Sequence, residues 1–445
     1  MSFDTVLVAN RGEIALRVIE ACRELGLRSI AVYSEADEVM PYLQLADGAV
    51  CIGPAEPAKS YLNAAAILSV ADLVQAGAIH PGYGFLSESP HFVEICEEHG
   101  VRFIGPSRAT MQIVGDKILA RDTVAAAGVP VLPGGPAPKK PDDALAFAES
   151  LGYPVLVKSV FGGGGRGLRW TESPEELLAA LGAAGAEAKA ASGEAELYFE
   201  KAVRDPRHVE VQILADERGR AVHLGERDCS VQRRHQKLIE ESPAPGLDAN
   251  LRERLHRAAL AAAHAVNYTN VGTVEFLVEP DGRFHFIEMN ARIQVEHPVS
   301  EVACGVNLVR EQIRIAAGEA APLEPPKPRG HTIECRINAE DPTRSFLPST
   351  GTVHVEELPG GHGVRLDTAI YDGMVISPHY DSLLAKLVVW GEDRETACLR
   401  METALRRFRV SGVATTRDLA LAVISHDAFR AGDVSTSFLA KHGLV

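Results

Sequence analysis

The 445 residues are too many for one ordinary core and leave room for two to four domains. Apolar residues at 46% and charged residues at 24% are the proportions of an ordinary soluble globular protein. A formal net charge of −15 argues against a nucleic-acid or anionic-membrane binder, which needs a basic face, but leaves room for a local cationic pocket that handles phosphate.

The N-terminus runs directly into a short apolar strand, Val6-Leu-Val-Ala, without the charged region and long apolar stretch of a signal peptide. No run elsewhere resembles a membrane span. The seven cysteines are scattered with no C-x-x-C pair, which fits neither a disulfide framework nor a zinc site. Reduced thiols and a cytoplasmic location are expected, with no nucleic-acid or membrane partner.

An amphipathic pattern from Glu13 to Leu25 predicts a helix ended by Gly26, and Arg28 to Tyr33 reads as a buried strand. Strand, helix and strand at this spacing make the first ~110 residues a parallel α/β domain. His80-Pro-Gly-Tyr-Gly-Phe-Leu-Ser-Glu88 is then a loop at a strand end, where such sheets place ligands. Pro130 to Pro141 is rich in Pro and Gly and marks a boundary. The stretch from about 142 to 203 alternates helix and strand signals and suits a small lid. Helices are expected over Leu251 to Val266 and from near Val299 to Ala317, the latter ending at Gly318. Ala320 to Gly330, with four prolines, reads as a linker to a third, mixed domain.

Chemistry enters with Val155-Leu-Val-Lys158 and the run Gly162-Gly-Gly-Gly-Arg-Gly167. Gly162, Gly164 and Gly167 satisfy G-x-G-x-x-G, but the strand-like Leu168-Arg-Trp follows and the next helix starts only at Ser173-Pro-Glu-Glu, a capping-box signal. A dinucleotide-binding dehydrogenase is therefore excluded, and no Walker A sequence occurs. A glycine turn between strands suits a flap whose bare amides cover phosphates; the plain alternative is a flexible hairpin. Lys117, Lys158 and Lys201 offer phosphate charges, although each alone reads as a solvated surface residue.

A second constellation follows from geometry. Thr273 to Glu279 and Arg283 to Asn290 flank Asp281-Gly282, a favoured two-residue hairpin turn. That turn places Glu275 opposite Glu288 and Leu277 opposite Phe286. Opposed like charges are destabilising unless a cation lies between them. Asn290 shares the Glu288 face, so two carboxylates and an amide oxygen offer hard ligands for Mg²⁺ or Mn²⁺. Solvated glutamates on an exposed hairpin are the alternative. If the strand continues, Glu288, Asn290, Arg292, Gln294 and Glu296 share one face, with Glu296 about 26 Å from Glu288. Glu226 to Lys237, which includes His235, mixes cations with a carboxamide and reads alone as a charged loop.

Taken together, Ala9-Asn-Arg-Gly-Glu-Ile-Ala15, His80 to Glu88, Gly162 to Gly167, Glu226 to Lys237, Glu288 to Pro298 and Glu334-Cys-Arg-Ile-Asn-Ala-Glu-Asp341 closely resemble the biotin carboxylases, nearly end to end. The resemblance implies an α/β and α+β protein: an N-terminal parallel α/β domain (1–114), an ATP-grasp central domain (115–319, with a mobile lid at about 131–203) and a C-terminal α+β domain (331–445). Carried over by motif, Lys117, Lys158, Gly164, Gly165, Glu200, Lys201, Val203, His208, His235 and Leu277 would hold ATP, together with Glu275 and Glu288. Glu275, Glu288 and Asn290 would hold two Mg²⁺ or Mn²⁺ ions. Lys237, Arg292, Gln294 and Val295 would surround bicarbonate, Glu296 would be the general base, and Arg336 would stabilise the enolate-like oxygen of biotin. Lys237 and Arg292 would keep Glu296 ionised.

The implied reaction is ATP- and bicarbonate-dependent carboxylation of biotin through carboxyphosphate, as the first half-reaction of an acetyl-CoA or related acyl-CoA carboxylase. A biotin carboxyl carrier protein, carboxyltransferase subunits and a second copy of the chain would be the partners. None of the six methionines precedes a lysine, so the biotin is expected on a separate carrier. Two departures from the family pattern stand at Phe161 and Leu168, and Ser437 falls where some members contribute a histidine. The rivals are another ATP-grasp ligase, such as a carbamoyl-phosphate-forming enzyme, and a non-catalytic nucleotide-binding module.

Overall fold

The computed structural model describes residues 2–159, 168–192, 196–324 and 326–445. The glycine run, with Gly164, Gly165 and Phe161, lies outside the described residues.

Strands β1 (Thr5–Val8), β2 (Arg28–Tyr33), β3 (Gly48–Cys51), β4 (Ala78–His80) and β5 (Arg102–Phe103) form a parallel sheet in the order β3-β2-β1-β4-β5. The helix Gly12–Glu24 links β1 to β2 as the sequence pattern requires and buries Ile14, Val18, Ile19 and Cys22. Gly26, at φ +68, turns the chain after it. Strand order reverses at β1, which opens a crevice at the carboxyl ends of β1 and β4. Asn10, just past β1, crosses that crevice and donates from Nδ2 to the carbonyls of Pro81 (2.7 Å) and Tyr83 (2.8 Å).

A second sheet, order β6-β9-β7-β8, comprises β6 (Gly134–Pro136), β7 (Val155–Ser159), β8 (Arg169–Thr171) and β9 (Leu197–Lys201). The helices Pro141–Leu151 and Pro174–Ser192 pack with it around Ala144, Ala148, Val155, Val157, Leu177 and Phe199. The capping signal at Ser173 is used, with the return bond displaced by one residue. Ser173 Oγ accepts the Glu176 N–H at 3.3 Å, and the Glu176 carboxylate accepts the Glu172 N–H at 2.7 Å.

The largest sheet has eight strands. β10 (Arg207–Ala215), β11 (Ala221–Arg233), β12 (Gln236–Ser242), β13 (Asn270–Val278), β14 (Phe284–Asn290) and β15 (His331–Asn338) run in the order β14-β13-β10-β11-β12-β15 and continue into Leu383–Gly391 and Val364–Thr368. The proline-rich stretch 320–330 therefore does not separate two sheets. β15, beyond it, pairs directly with β12.

Three local expectations need correction. The helix expected from near Val299 to Ala317 is two helices, His297–Cys304 and Leu308–Ala316. Gly305 takes a left-handed cap at φ +66, and Asn307 caps the second helix by accepting the Arg310 N–H. The charged segment Glu226 to Lys237 is no loop but the β11–β12 hairpin, with Arg234 and His235 at its tip, both at positive φ. The β13–β14 turn spans Pro280, Asp281 and Gly282, closed by Glu279 N–H to Arg283 O (2.8 Å). An extra residue, Ile287, then shifts the register back. Glu275 does face Glu288, but Leu277 pairs with His285 rather than Phe286.

Candidate active site

Antiparallel partners that stand directly opposite share a face. Across β14, β13, β10 and β11 this aligns Glu288, Glu275, Glu210 and Arg227 in one row. Three adjacent carboxylates would repel one another unless cations intervene, and two cations do. Arg227, fully buried, donates to Glu210 (2.6 Å), Gln212 (2.6 Å), Ser300 (2.9 Å), Thr273 (3.3 Å) and the Gln294 side-chain oxygen (2.8 Å). Lys237, from β12, donates to Glu210 (2.5 Å), Glu275 (2.8 Å) and Glu296 (2.6 Å). Burial opposes its charge, but the three carboxylates outweigh burial and hold the ammonium well above its ordinary pKa.

Glu275 is saturated. Its Oε1 accepts from Lys237, Asn290 Nδ2 (2.9 Å) and Gln294 Nε2 (2.7 Å), and its Oε2 meets His208 Nε2 at 2.8 Å. Burial would raise this carboxyl, yet Lys237 and His208 hold it well below the carboxylate range. The same contact raises His208 above an ordinary histidine despite its burial. Glu288 behaves oppositely: burial and then the Glu275 charge push it up, against the pull of Lys117. Lys117, at the start of the helix Lys117–Ala126, is lowered by burial, which Glu288 opposes.

The stripe from Glu288 to Glu296 does not continue as a strand. β14 ends at Asn290, and the chain turns so that Glu296 stands at the N-cap position of the helix His297–Cys304, its side chain making no cap bond. Pro298, near the start of that helix, is a helix-start signal already present in the sequence. The expected 26 Å separation is thus overturned, since Glu296 and Glu275 bind the same Lys237 nitrogen. Glu296 also accepts from Arg336 Nη2 at 2.9 Å. Burial raises it, but Lys237, Arg336 and Arg227 together hold it well below the carboxylate range. Arg292, expected in that role, instead lies 3.0 Å from Glu88 and donates to Asn290 Oδ1 at 3.0 Å. Arg336 also donates to Glu240 at 2.7 Å.

Lys158 on β7 pairs with Glu200 on β9. Lys201 donates to the carbonyls of Gly152 (2.6 Å) and Tyr153 (3.0 Å), a structural use of its ammonium. Val203 and Leu277 are partly exposed, as is Val295, whose carbonyl accepts from Lys386 at 3.1 Å. His235, at the hairpin tip, is lowered by burial and then by Lys158 and His208. Glu210 and Glu240 were not singled out from sequence, and Arg227 and Glu88 only as members of the segments Glu226 to Lys237 and His80 to Glu88. For Glu210 a signal exists: His208, Glu210 and Gln212 alternate with Val209, Val211 and Ile213.

Glu275, Glu288 and the Asn290 amide oxygen are hard donors, and the partly buried Glu288 is raised by burial and then by the Glu275 charge beside it, so this set fits a divalent cation. Among the described residues, two other groups have ligand atoms within 4.8 Å of one another: His208/Glu210/Glu275 and Glu210/Cys229/Glu296. Lys237 already bridges the carboxylates of both.

A parallel α/β sheet, a four-stranded sheet with two helices and a large antiparallel sheet whose carboxylate row is held by Lys237 and Arg227 fit an ATP-binding enzyme of the ATP-grasp class. The sequence model described as "Carbamoyl-phosphate synthase L chain, ATP binding domain" matches residues 116–324. Those described as "Biotin carboxylase, N-terminal domain" and "Biotin carboxylase C-terminal domain" match 2–111 and 334–441. The biotin carboxylase of Nostoc sp. is 51% identical over 442 residues, covering 99% of both chains. A pyruvate carboxylase subunit from Methanothermobacter thermautotrophicus is 48% identical, covering 99% of this chain and 90% of that one. The chain belongs to the biotin carboxylase family. Its fold superposes with a TM-score of 0.96 on the biotin carboxylase domain dimer of Hydrogenobacter thermophilus 2-oxoglutarate carboxylase, solved with MgADP, ADP and bicarbonate (45% identity; 100% of this chain and 98% of that one). A Campylobacter jejuni biotin carboxylase–β,γ-ATP complex gives the same TM-score at 46% identity, covering 99% of each chain. No helix among the described residues is long and apolar enough to cross a membrane.

Proposed function

We propose that the chain uses ATP and bicarbonate to carboxylate biotin borne on a carrier protein. The observation that carries this reading is the Lys237 ammonium, which ties Glu275, at the proposed metal end, to Glu296, at the proposed base end. Lys117, Lys158, Glu200, Lys201, Val203, His208, His235 and Leu277 would contact the nucleotide, with 131–203 closing as a lid. Mg²⁺ or Mn²⁺, two ions held by Glu275, Glu288 and Asn290, would neutralise the phosphate charge.

Bicarbonate would sit against Lys237, Arg292, Gln294 and Val295. Arg227 fixes the Gln294 amide so that its NH₂ points into the site. Glu296, held ionised, takes the bicarbonate proton, and the resulting oxyanion attacks the γ-phosphate to give carboxyphosphate and ADP. Carboxyphosphate yields CO₂ and phosphate; the phosphate takes the proton from the biotin ureido nitrogen, which then attacks CO₂. Arg336 would stabilise the ureido oxygen as its charge develops. A second copy of the chain and carboxyltransferase subunits are the further partners proposed, with an acyl-CoA as the final acceptor.

The test is ATP cleavage measured with bicarbonate, with and without free biotin, and separately with ammonia. Stimulation by biotin supports the reading. Ammonia-dependent turnover that ignores biotin would instead favour a carbamoyl-phosphate-forming enzyme.

A further inference from the structure

Glu334 lies on β15 and shares a face with Arg336, while Ile333, Cys335 and Ile337 point into the apolar core on the other side. Its side chain is fully buried, and neither carboxylate oxygen accepts a hydrogen bond from any described residue. Directly opposite, on β12, stands Glu240, equally buried. Glu240 Oε1 accepts from Arg336, while its Oε2 has no partner among the described residues.

The cations nearby are already engaged. On Glu334's own strand, Arg336 is shared between Glu240 and Glu296. On the neighbouring strand Leu383–Gly391, the Lys386 ammonium lies 2.9 Å from Glu13 and donates to the Val295 carbonyl. Lys237 holds Glu210, Glu275 and Glu296. From the helix His297–Cys304, which packs over β12 and β15, come Glu296 and the buried ring of His297, held below its ordinary pKa by burial and then by Lys386. Thr332, two residues before Glu334, is buried with its hydroxyl unpartnered among the described residues. Two opposed carboxylates with three unpartnered oxygens and a half-share of one arginine are a costly thing to bury fully charged.

We propose that Glu334 and Glu240 form a buried acid–carboxylate pair that retains one proton, and that through Glu240 the pair makes Glu334 a positioning residue for Arg336. Burial, and then Glu240, push the Glu334 carboxyl well above the carboxylate range. Glu240 is raised to about 7 by burial, against the pull of Arg336, with Glu296 adding to the rise. While the proton is retained, Glu240 grips Arg336 weakly and the guanidinium can turn to an oxyanion. Once the proton is lost, Glu240 holds Arg336 in full. The pair also senses the base: Glu296 raises both carboxyls, so a proton arriving on Glu296 weakens the hold of the pair on its own. The positioning role rests on Arg336 acting on biotin; the proton-sharing pair does not.

Infrared spectroscopy of the whole chain, at a mildly alkaline pH where ordinary carboxyls are ionised, tests the pair. The expected result is the carbonyl stretch of a protonated carboxyl, lost in Glu334→Gln. A wild-type spectrum without that band overturns the pair, and this readout stands even if the variant does not fold. The pH profile of the biotin-dependent rate tests the positioning role. In Glu334→Gln, Glu240 loses the carboxyl directly opposite it and stays ionised, so the KM for biotin should rise several-fold and the alkaline limb set by the pair should vanish. An infrared band with an unchanged biotin profile would remove the link to Arg336. Absence of biotin carboxylation in the wild type would count against the functional reading and leave the infrared result standing.

Discussion

Glu275 and Glu296 compete for one ammonium, so the metal end and the base end of the site are joined through Lys237. Glu296→Gln keeps the shape and removes the basic oxygen, and should lower bicarbonate-dependent turnover by about 10²–10⁴-fold. Because Lys237 would then shift its share toward Glu210 and Glu275, a smaller change in the apparent ATP affinity is expected as well. Steady-state rates beside calorimetric ATP binding separate the two effects, and near-normal turnover would remove Glu296 from the base role. Glu288 is raised by burial and then by Glu275, against the pull of Lys117 and Lys237. Glu288→Gln should therefore raise the Mg²⁺ or Mn²⁺ concentration needed for half-maximal rate while slightly raising the apo Tm. An unchanged metal dependence would contradict the assignment. The Glu275–Glu288 pair was legible in the sequence partly because two irregularities cancel: the turn takes one residue more than expected, and Ile287 is left unpaired in the ladder. Leu277 falls between those two shifts, so its partner was misread. Glu210 and Arg227 complete the row from strands distant in sequence, and no local pattern gives that register.

Between elements, the seam where β12 meets β15 is held by Glu241. Its carboxylate meets His331 at 2.7 Å and accepts from Arg394 at 2.7 and 3.1 Å, joining the central strands to the helix Arg394–Arg407. Burial alone would raise Glu241, yet His331 and Arg394 hold it below its ordinary range. A carboxyl depressed in the folded state contributes stability above its unfolded pKa, and that stability is lost as pH falls through the lower, folded value. Glu241→Gln should therefore cost about 3–5 kcal/mol at neutral pH, the usual penalty for breaking a buried pair, and less in acid. Thermal melts from neutral to acid pH check this; an equal Tm loss at every pH would contradict it. Periodic elements such as Gly12–Glu24 and Arg28–Tyr33 were readable because one buried face sets their period. The break at Gly305 and the hairpin tip at Arg234 and His235 were not. There the chain follows a left-handed cap in one case and a two-residue hairpin turn through positive-φ residues in the other.

At the scale of the molecule, residues from the N-terminal crevice, the central sheet and the C-terminal strands converge. Glu88 reaches Arg292, Lys237 bridges the central carboxylates, and Arg336 comes from β15 beyond the proline-rich stretch. Because the eight-stranded sheet continues across that stretch, Arg336 and Lys237 lie on adjoining strands and meet at Glu296. Motif spacing indicated the family and the components of this site, but the shared lysine appears only when the chain turns after Asn290. The most direct test of the central claim is transfer of label from isotope-labelled bicarbonate to free biotin in the presence of ATP and Mg²⁺. The expected result is acid-labile label on biotin from the wild-type chain, lost in Glu296→Gln and in Arg336→Gln. Cleavage of ATP with bicarbonate but no label on biotin, under conditions that preserve carboxybiotin, would contradict it.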